Sequence, residues 1–429
     1  MTLHPDPAFP NLHGRPPYGW VNDPNGCSYV DGRYHVFFQY NPAAPVHDAI
    51  AWGHVSSTDL VGWRPEPVAL VTRPGELDAH GCWTGCVTDD DGVPTAVYSA
   101  VAKGDGRSEV VLARSDRTLE TWEQARTSAV GMPEDPTLSD VRDPYLFEYA
   151  GRRYAVQGAG RKEGTPQILL YDATDLTSWV ELGSLLRGDD PVAAAVAPAH
   201  IWECPNLFEV DGRWVLVLSL WRGDEESHTL AGVRYLVGAL VPRDDGHPRF
   251  EPGAGGELDT GPCFYAPQVL PVDGRALLWA WSWEHGRTEV EIEENGWAGA
   301  LTFCRELALS GDALVSRPVP ELAALRRGAT AVPSGSPIED AAFEVELPAS
   351  SGDGALWLVH PDREELVAEW TVPAGQATEP RILVDGSMVE VFPGGPTPHT
   401  TRGYPTRRSH WRVTTSTADD LRVWRLGLD

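Results

Sequence analysis

Short apolar runs broken by turn residues set the pattern of this chain. RYHVFFQY, VPTAVYSA, RRYAVQGA, RWVLVLSL and RALLWAWS each have the length and the β-branched or aromatic content of a strand. Each follows a turn dipeptide: Asp31-Gly32, Asp91-Gly92, Ala150-Gly151, Asp211-Gly212 and Asp273-Gly274. Asp-Gly between apolar runs is a hairpin signal. The five glycines lie 60, 59, 61 and 62 residues apart. Near-equal repeats of that size, each holding several short strands, predict an all-β chain built on a five-bladed β-propeller.

After the fifth repeat the period is lost. Residues 317–328 (RPVPELAALRRG) read as a connector with one helical turn. The runs AFEVELP, ALWLVHP, ELVAEWTV, RILVDGSMVEVF, WRVTTS and LRVWRLGL follow. They predict a small all-β domain, most simply a sandwich. The expected organisation is a propeller over residues 1–320 and a C-terminal β-sandwich over 329–429.

Composition narrows the function. The 429 residues carry 34 Lys+Arg against 62 Asp+Glu, a net charge of −28. That balance argues against nucleic acid or an anionic membrane surface as a partner. No apolar run reaches the ~18 residues of a membrane span. The first residues lack a basic segment followed by an apolar one, so a cytoplasmic protein is expected. Six cysteines are too sparse for a disulfide framework. Cys82 and Cys86 lack a second Cys/His pair at metal spacing, so no metal is expected and the cysteines read as packing residues. Most of the 17 tryptophans fill core; some suit stacking on sugar rings.

The repeat also places chemistry. Nine residues before the repeat glycines stand Asp23, Trp83, Arg142, Glu203 and Tyr265, and Asp143 follows Arg142. Equivalent positions in a propeller converge at one mouth of the central channel. Three carboxylates would meet there with an arginine and two aromatics. Paired carboxylates are the apparatus of glycoside hydrolysis, one ionised and one with a raised pKa. Arg142 is expected to keep Asp143 ionised. The plainer reading is that these residues merely cap strands, and registry across the repeat weighs against it.

These residues also carry a family resemblance. Residues 19–26 (GWVNDPNG) resemble the WMNDPNG signature of glycoside hydrolase family 32, with Val21 in place of Met. Arg142-Asp143-Pro144 resembles its RDP motif and Glu203-Cys204 its EC motif. The resemblance implies a five-bladed propeller followed by a sandwich, and β-fructofuranosidase chemistry without a metal or organic cofactor. It implies Asp23 as nucleophile, Glu203 as acid/base and Asp143 as transition-state stabiliser, with Arg142 beside it. It also implies retention, which requires the two carboxyl groups to stand ~5–5.5 Å apart rather than ~6.5–9.5 Å.

The other expected substrate contacts are the amides of Asn22 and Gln39, walls from Trp52 and Trp83, Thr84 where the family has Ser, a tuning hydroxyl from Tyr265, and stacking by Trp281. Cys204 is expected to point away by strand alternation. His47 reads as a loop residue or a leaving-group contact. The expected activity is release of terminal β-D-fructofuranosyl residues from sucrose or short fructo-oligosaccharides. The alternatives are a fructosyltransferase on the same scaffold, an inverting arabinofuranosidase, or a sugar-binding protein derived from a hydrolase.

Overall fold

Each repeat turn folds as a two-residue hairpin with both residues at positive φ, from Asp31 (48°) and Gly32 (79°) to Asp273 (49°) and Gly274 (75°). This is the type I′ geometry whose twist matches that of the flanking strands. The flanking pairs Val30–Arg33, Asp90–Val93, Tyr149–Arg152, Val210–Arg213 and Val272–Arg275 are in register. The computed structural model describes residues 4–103, 107–223, 227–348, 350–372, 379–417 and 420–428.

The hairpins begin on five inner strands: Gly19–Val30, Gly81–Asp90, Leu138–Tyr149, Ile201–Val210 and Phe264–Val272. Each contacts the next in chain order, and the last returns to the first. Among the described residues the hydrogen-bonded sheets over this region number four rather than five. A single bridge, Gly160 to Ile201, joins the strands of the third and fourth repeats into one eight-stranded sheet. Trp297–Ala298, late in the chain, pairs in parallel with Gly19 and Trp20 of the first strand.

One irregularity recurs and positions the site. Every inner strand slips register at the same place in its repeat: Val21/Pro24, Cys82/Gly85, Glu203/Asn206 and Tyr265/Gln268, with the third repeat slipping beside Asp143. Such bulges re-aim side chains. At Asp143 (63°), Cys204 (46°) and Ala266 (46°) φ is positive. The second strand of the preceding repeat accepts the amide of two of these three and packs closely beside the other. Asp143 N donates to Ser99 Oγ at 2.8 Å, and Ala266 N donates to Ser219 Oγ at 3.1 Å. Gly158 lies so close to the fourth strand that a Cβ there would meet Trp202 O at 2.0 Å.

A 3-10 turn, Pro320–Leu325, leads to a six-stranded and a four-stranded sheet. Their inner faces share a core that includes Phe343, Leu356, Leu358, Val389 and Trp411. The first strand of this unit starts at Arg326, three residues before the expected Ala329. The unit is fastened to the repeats by buried charge. Arg305 donates to Glu390 (2.6 and 2.9 Å) and to Asp259 (2.8 Å), and His13 Nδ1 meets Asp385 Oδ2 at 2.7 Å. Among the described residues no helix is long and apolar enough to cross a membrane.

Candidate active site

A cavity of about 430 Å³ opens where the bulges meet. Asp23, Asp143 and Glu203 all line it, with Asn22, Gln39, Trp83, Arg142, Tyr265 and Trp281. Residues 180 apart in sequence are thus brought into one chamber, as the repeat registry anticipates.

Asp23 is the most densely held carboxylate. Its Oδ2 accepts from Thr84 Oγ1 at 2.6 Å and Gln39 Nε2 at 3.2 Å, and its Oδ1 accepts from Asn22 Nδ2 at 3.2 Å. These donors fix its orientation and favour the charged form. Burial nevertheless prevails, aided by the charge of Glu203, and pushes the Asp23 carboxyl up to about 6. Thr84 therefore acts from behind the nucleophile candidate rather than on the cavity wall.

Glu203 takes the fork of Arg142. Nε and Nη2 donate to its Oε1 at 2.9 and 2.7 Å, and Tyr265 donates its hydroxyl to Oε2 at 2.6 Å. Burial and the neighbouring Glu203 raise the Tyr265 phenol well above its ordinary value, so it remains a donor. Arg142 also reaches Asp140 at 3.0 Å. The charge of Arg142 favours the ionised form of Asp143, as expected, but its hydrogen bonds close on Glu203 and Asp140 rather than on Asp143. Burial raises Asp143 above the carboxylate range; Arg142 opposes the shift, and the charges of Glu203 and Asp23 reinforce it.

Cys204 also departs from expectation. Its Sγ lies 3.6 Å from Asp23 Oδ2 and 3.5 Å from Asp143 Oδ2, and its backbone N donates to Asp143 Oδ2 at 2.9 Å. Simple alternation fails here because the bulge and the positive φ bring the buried thiol against Asp23 and Asp143, beneath the cavity that Glu203 lines. Burial raises the thiol well above its ordinary value, so it acts as a donor between the carboxylates rather than as a nucleophile.

Trp52 is not a wall of the cavity. It is fully buried and donates Nε1 to Trp83 O at 3.1 Å, bracing the strand that carries Trp83. The wall is instead an arc of rings. Trp83 meets His47 (centroids 5.8 Å apart), His47 meets Trp20 (6.2 Å), and Trp20 meets Trp281 (5.8 Å). Trp20, Trp221, His228 and Leu230 line the cavity beyond the residues expected from sequence. Trp20 stands in the GWVNDPNG block three residues before Asp23, which is the signal that could have found it, whereas Trp221 lies on the second strand of its repeat, where the period gives none.

A chamber lined by Asp23, Asp143 and Glu203 with fixed donors and aromatic walls is the apparatus of a glycoside hydrolase. Residues 13–318 match the family model described as "Glycosyl hydrolases family 32 N-terminal domain", and the chain belongs to that family. It is 34% identical over 381 residues to a sucrose-6-phosphate hydrolase of Bacillus subtilis (strain 168), covering 85% of this chain and 73% of that protein. It is 30% identical over 447 residues to a sucrose-6-phosphate hydrolase of Salmonella typhimurium, covering 98% and 94%. Among solved structures, the Bombyx mori GH32 beta-fructofuranosidase BmSUC1 superposes with a TM-score of 0.82 at 26% identity, covering 98% of this chain and 94% of that one. A mutant of that protein has been solved in complex with sucrose.

Proposed function

We propose that this glycoside hydrolase is a retaining β-fructofuranosidase that releases terminal fructose from sucrose or short fructo-oligosaccharides. The observation that carries the reading is the convergence of Asp23, Asp143 and Glu203 in one cavity, with Cys204 donating between the first two. Asp23 is the nucleophile at the anomeric C2, held in place by Thr84, Gln39 and Asn22. Glu203 protonates the departing oxygen, and Arg142 and Tyr265 fix both of its own oxygens. A fructosyl-enzyme forms on Asp23. Glu203 then takes a proton from water, which releases fructose and regenerates the carboxylate. Asp143, held by the Cys204 amide, binds fructose hydroxyls as charge develops. Asn22 Oδ1 is buried without a partner among the described residues and supplies a further acceptor for a hydroxyl.

The cyclic contact of five inner strands supports a five-bladed propeller over residues 1–320 with a sandwich over 329–429. Six buried, unpaired cysteines support a reducing, cytoplasmic setting. A neutral sugar is the partner that the cavity suits, and the names of the relatives favour hydrolysis over transfer.

Chromatography after incubation with sucrose, 1-kestose, inulin, levan and sucrose 6-phosphate tests the reading. Free fructose from at least one of them is expected. Longer oligomers as the main product would indicate transfer, and no product from the folded protein would remove the assignment.

A further inference from the structure

The wall of the cavity on the Glu203 side leads beyond this reading. Glu203 pairs with Ser219 on the neighbouring strand, and Ile201, two residues earlier on the same face, pairs with Trp221. Trp221 in turn pairs with Leu230 on the next strand. His228, two residues before Leu230, projects from the same face and stacks on Trp221 with ring centroids 5.2 Å apart at 16°. All three line the cavity. The proton donor and this platform therefore share one side of the chamber, and the group that departs is the group Glu203 protonates.

The electrostatics of the chamber are equally one-sided. Among the described residues that line it, Arg142 alone carries a fixed positive charge. Its Nε and Nη2 are taken by Glu203 and its Nη1 by Asp140. A phosphate dianion brought in on the leaving sugar would face three carboxylates with no unengaged arginine or lysine on the wall. Desolvating it there has no compensating partner.

We infer that Trp221, braced by His228 and flanked by Leu230, is the platform for the leaving sugar and selects a neutral ring by stacking. The inference rests on the fructofuranosidase reading above. It assigns the leaving group as an unphosphorylated sugar, although the curated relatives quoted above are named for sucrose 6-phosphate.

The test compares kcat/KM of the wild type, Trp221→Ala, Trp221→Phe and His228→Ala on sucrose, 1-kestose, sucrose 6-phosphate and methyl β-D-fructofuranoside. The methyl fructoside has the same fructose but no ring to stack. Trp221→Ala is expected to lose about tenfold on sucrose and 1-kestose, the scale of one aromatic contact, and to keep its rate on the methyl fructoside. Trp221→Phe retains most of the sucrose rate, and His228→Ala falls between. Wild-type protein is expected to use sucrose at least as well as sucrose 6-phosphate. Equal losses on sucrose and on the methyl fructoside would overturn the platform, because Trp221 would then serve the chemistry or the fold. A tenfold preference for sucrose 6-phosphate would overturn the neutral selection. Wild-type inactivity on every fructoside would instead remove the underlying reading, and the platform with it.

Discussion

Thr84 Oγ1 donates to Asp23 Oδ2 at 2.6 Å across 61 residues of sequence, joining the first repeat to the second behind the cavity. This bond opposes the burial that raises the Asp23 carboxyl to about 6. A nucleophile must be ionised, so kcat/KM should fall as pH drops through about 6, with a slope of one. Removing the hydroxyl removes a bond that favours the charged form. In Thr84→Val the acid limb should therefore move to higher pH, while Thr84→Ser should leave it in place. A pH–rate profile of the three proteins checks this; an unmoved limb in Thr84→Val would detach Thr84 from the role.

The roles of the two carboxylates separate by leaving group. Asp23→Asn should lose about 10³-fold or more on every fructoside, since no covalent step remains. Glu203→Gln should lose about 10²–10⁴-fold on sucrose, and far less on β-D-fructofuranosyl fluoride, whose departing fluoride needs no proton. Steady-state rates on both substrates, with circular dichroism as the control for folding, decide the matter.

Asp23 is also a stability liability. Its folded-state value of about 6 lies above the ordinary 3.8. Its neutral form suits the folded chain, so the contribution to stability is fully present below the ordinary value and is lost as pH rises through about 6. At pH 7 the charge is buried near Glu203 and Asp143, and Asp23→Asn removes it. The variant should be more stable there by about 1 kcal/mol. The gain should disappear near pH 4. Calorimetry at the two pH values measures the difference.

Much of this arrangement was legible in the sequence because it follows from a period. Asp-Gly turns fixed the hairpins, and counting nine residues back from the repeat glycines located Asp23, Arg142, Glu203 and Tyr265. What escaped depends on bulges. Strand alternation would send Cys204 away from Glu203, but a positive φ of 46° turns it between two carboxylates. Trp52 was indistinguishable by composition from the lining tryptophans; only packing shows that it braces Trp83 from below. Trp221 and His228 lie on the second and third strands of their repeat, where pairing rather than period determines what faces the cavity.

The junction with the C-terminal unit makes a separate prediction. His13 is fully buried between Asp385 (2.7 Å) and Glu390 (3.5 Å). Burial works against its imidazolium, yet the hydrogen bonds of the two carboxylates outweigh it and hold the ring above its usual 6.5. A raised folded-state value means that this stabilisation is complete below 6.5 and is lost as pH rises through the folded value. Wild-type stability should therefore decline on that alkaline side. His13→Ala should cost about 3 kcal/mol at pH 6, because it takes from the buried Asp385 its one side-chain partner at 2.7 Å among the described residues, leaving only the backbone donors of Asn11 and Leu12, while Glu390 keeps Arg305. Urea unfolding across pH tests both statements, with the decline expected to be absent in His13→Ala.

Trapping the fructosyl-enzyme with an alcohol tests the central claim most directly. Wild-type protein incubated with sucrose in dilute methanol should yield fructose together with methyl β-D-fructofuranoside, the retained anomer, and Asp23→Asn should yield neither. Formation of the α-anomer, or undiminished turnover by Asp23→Asn, would contradict a covalent intermediate on Asp23.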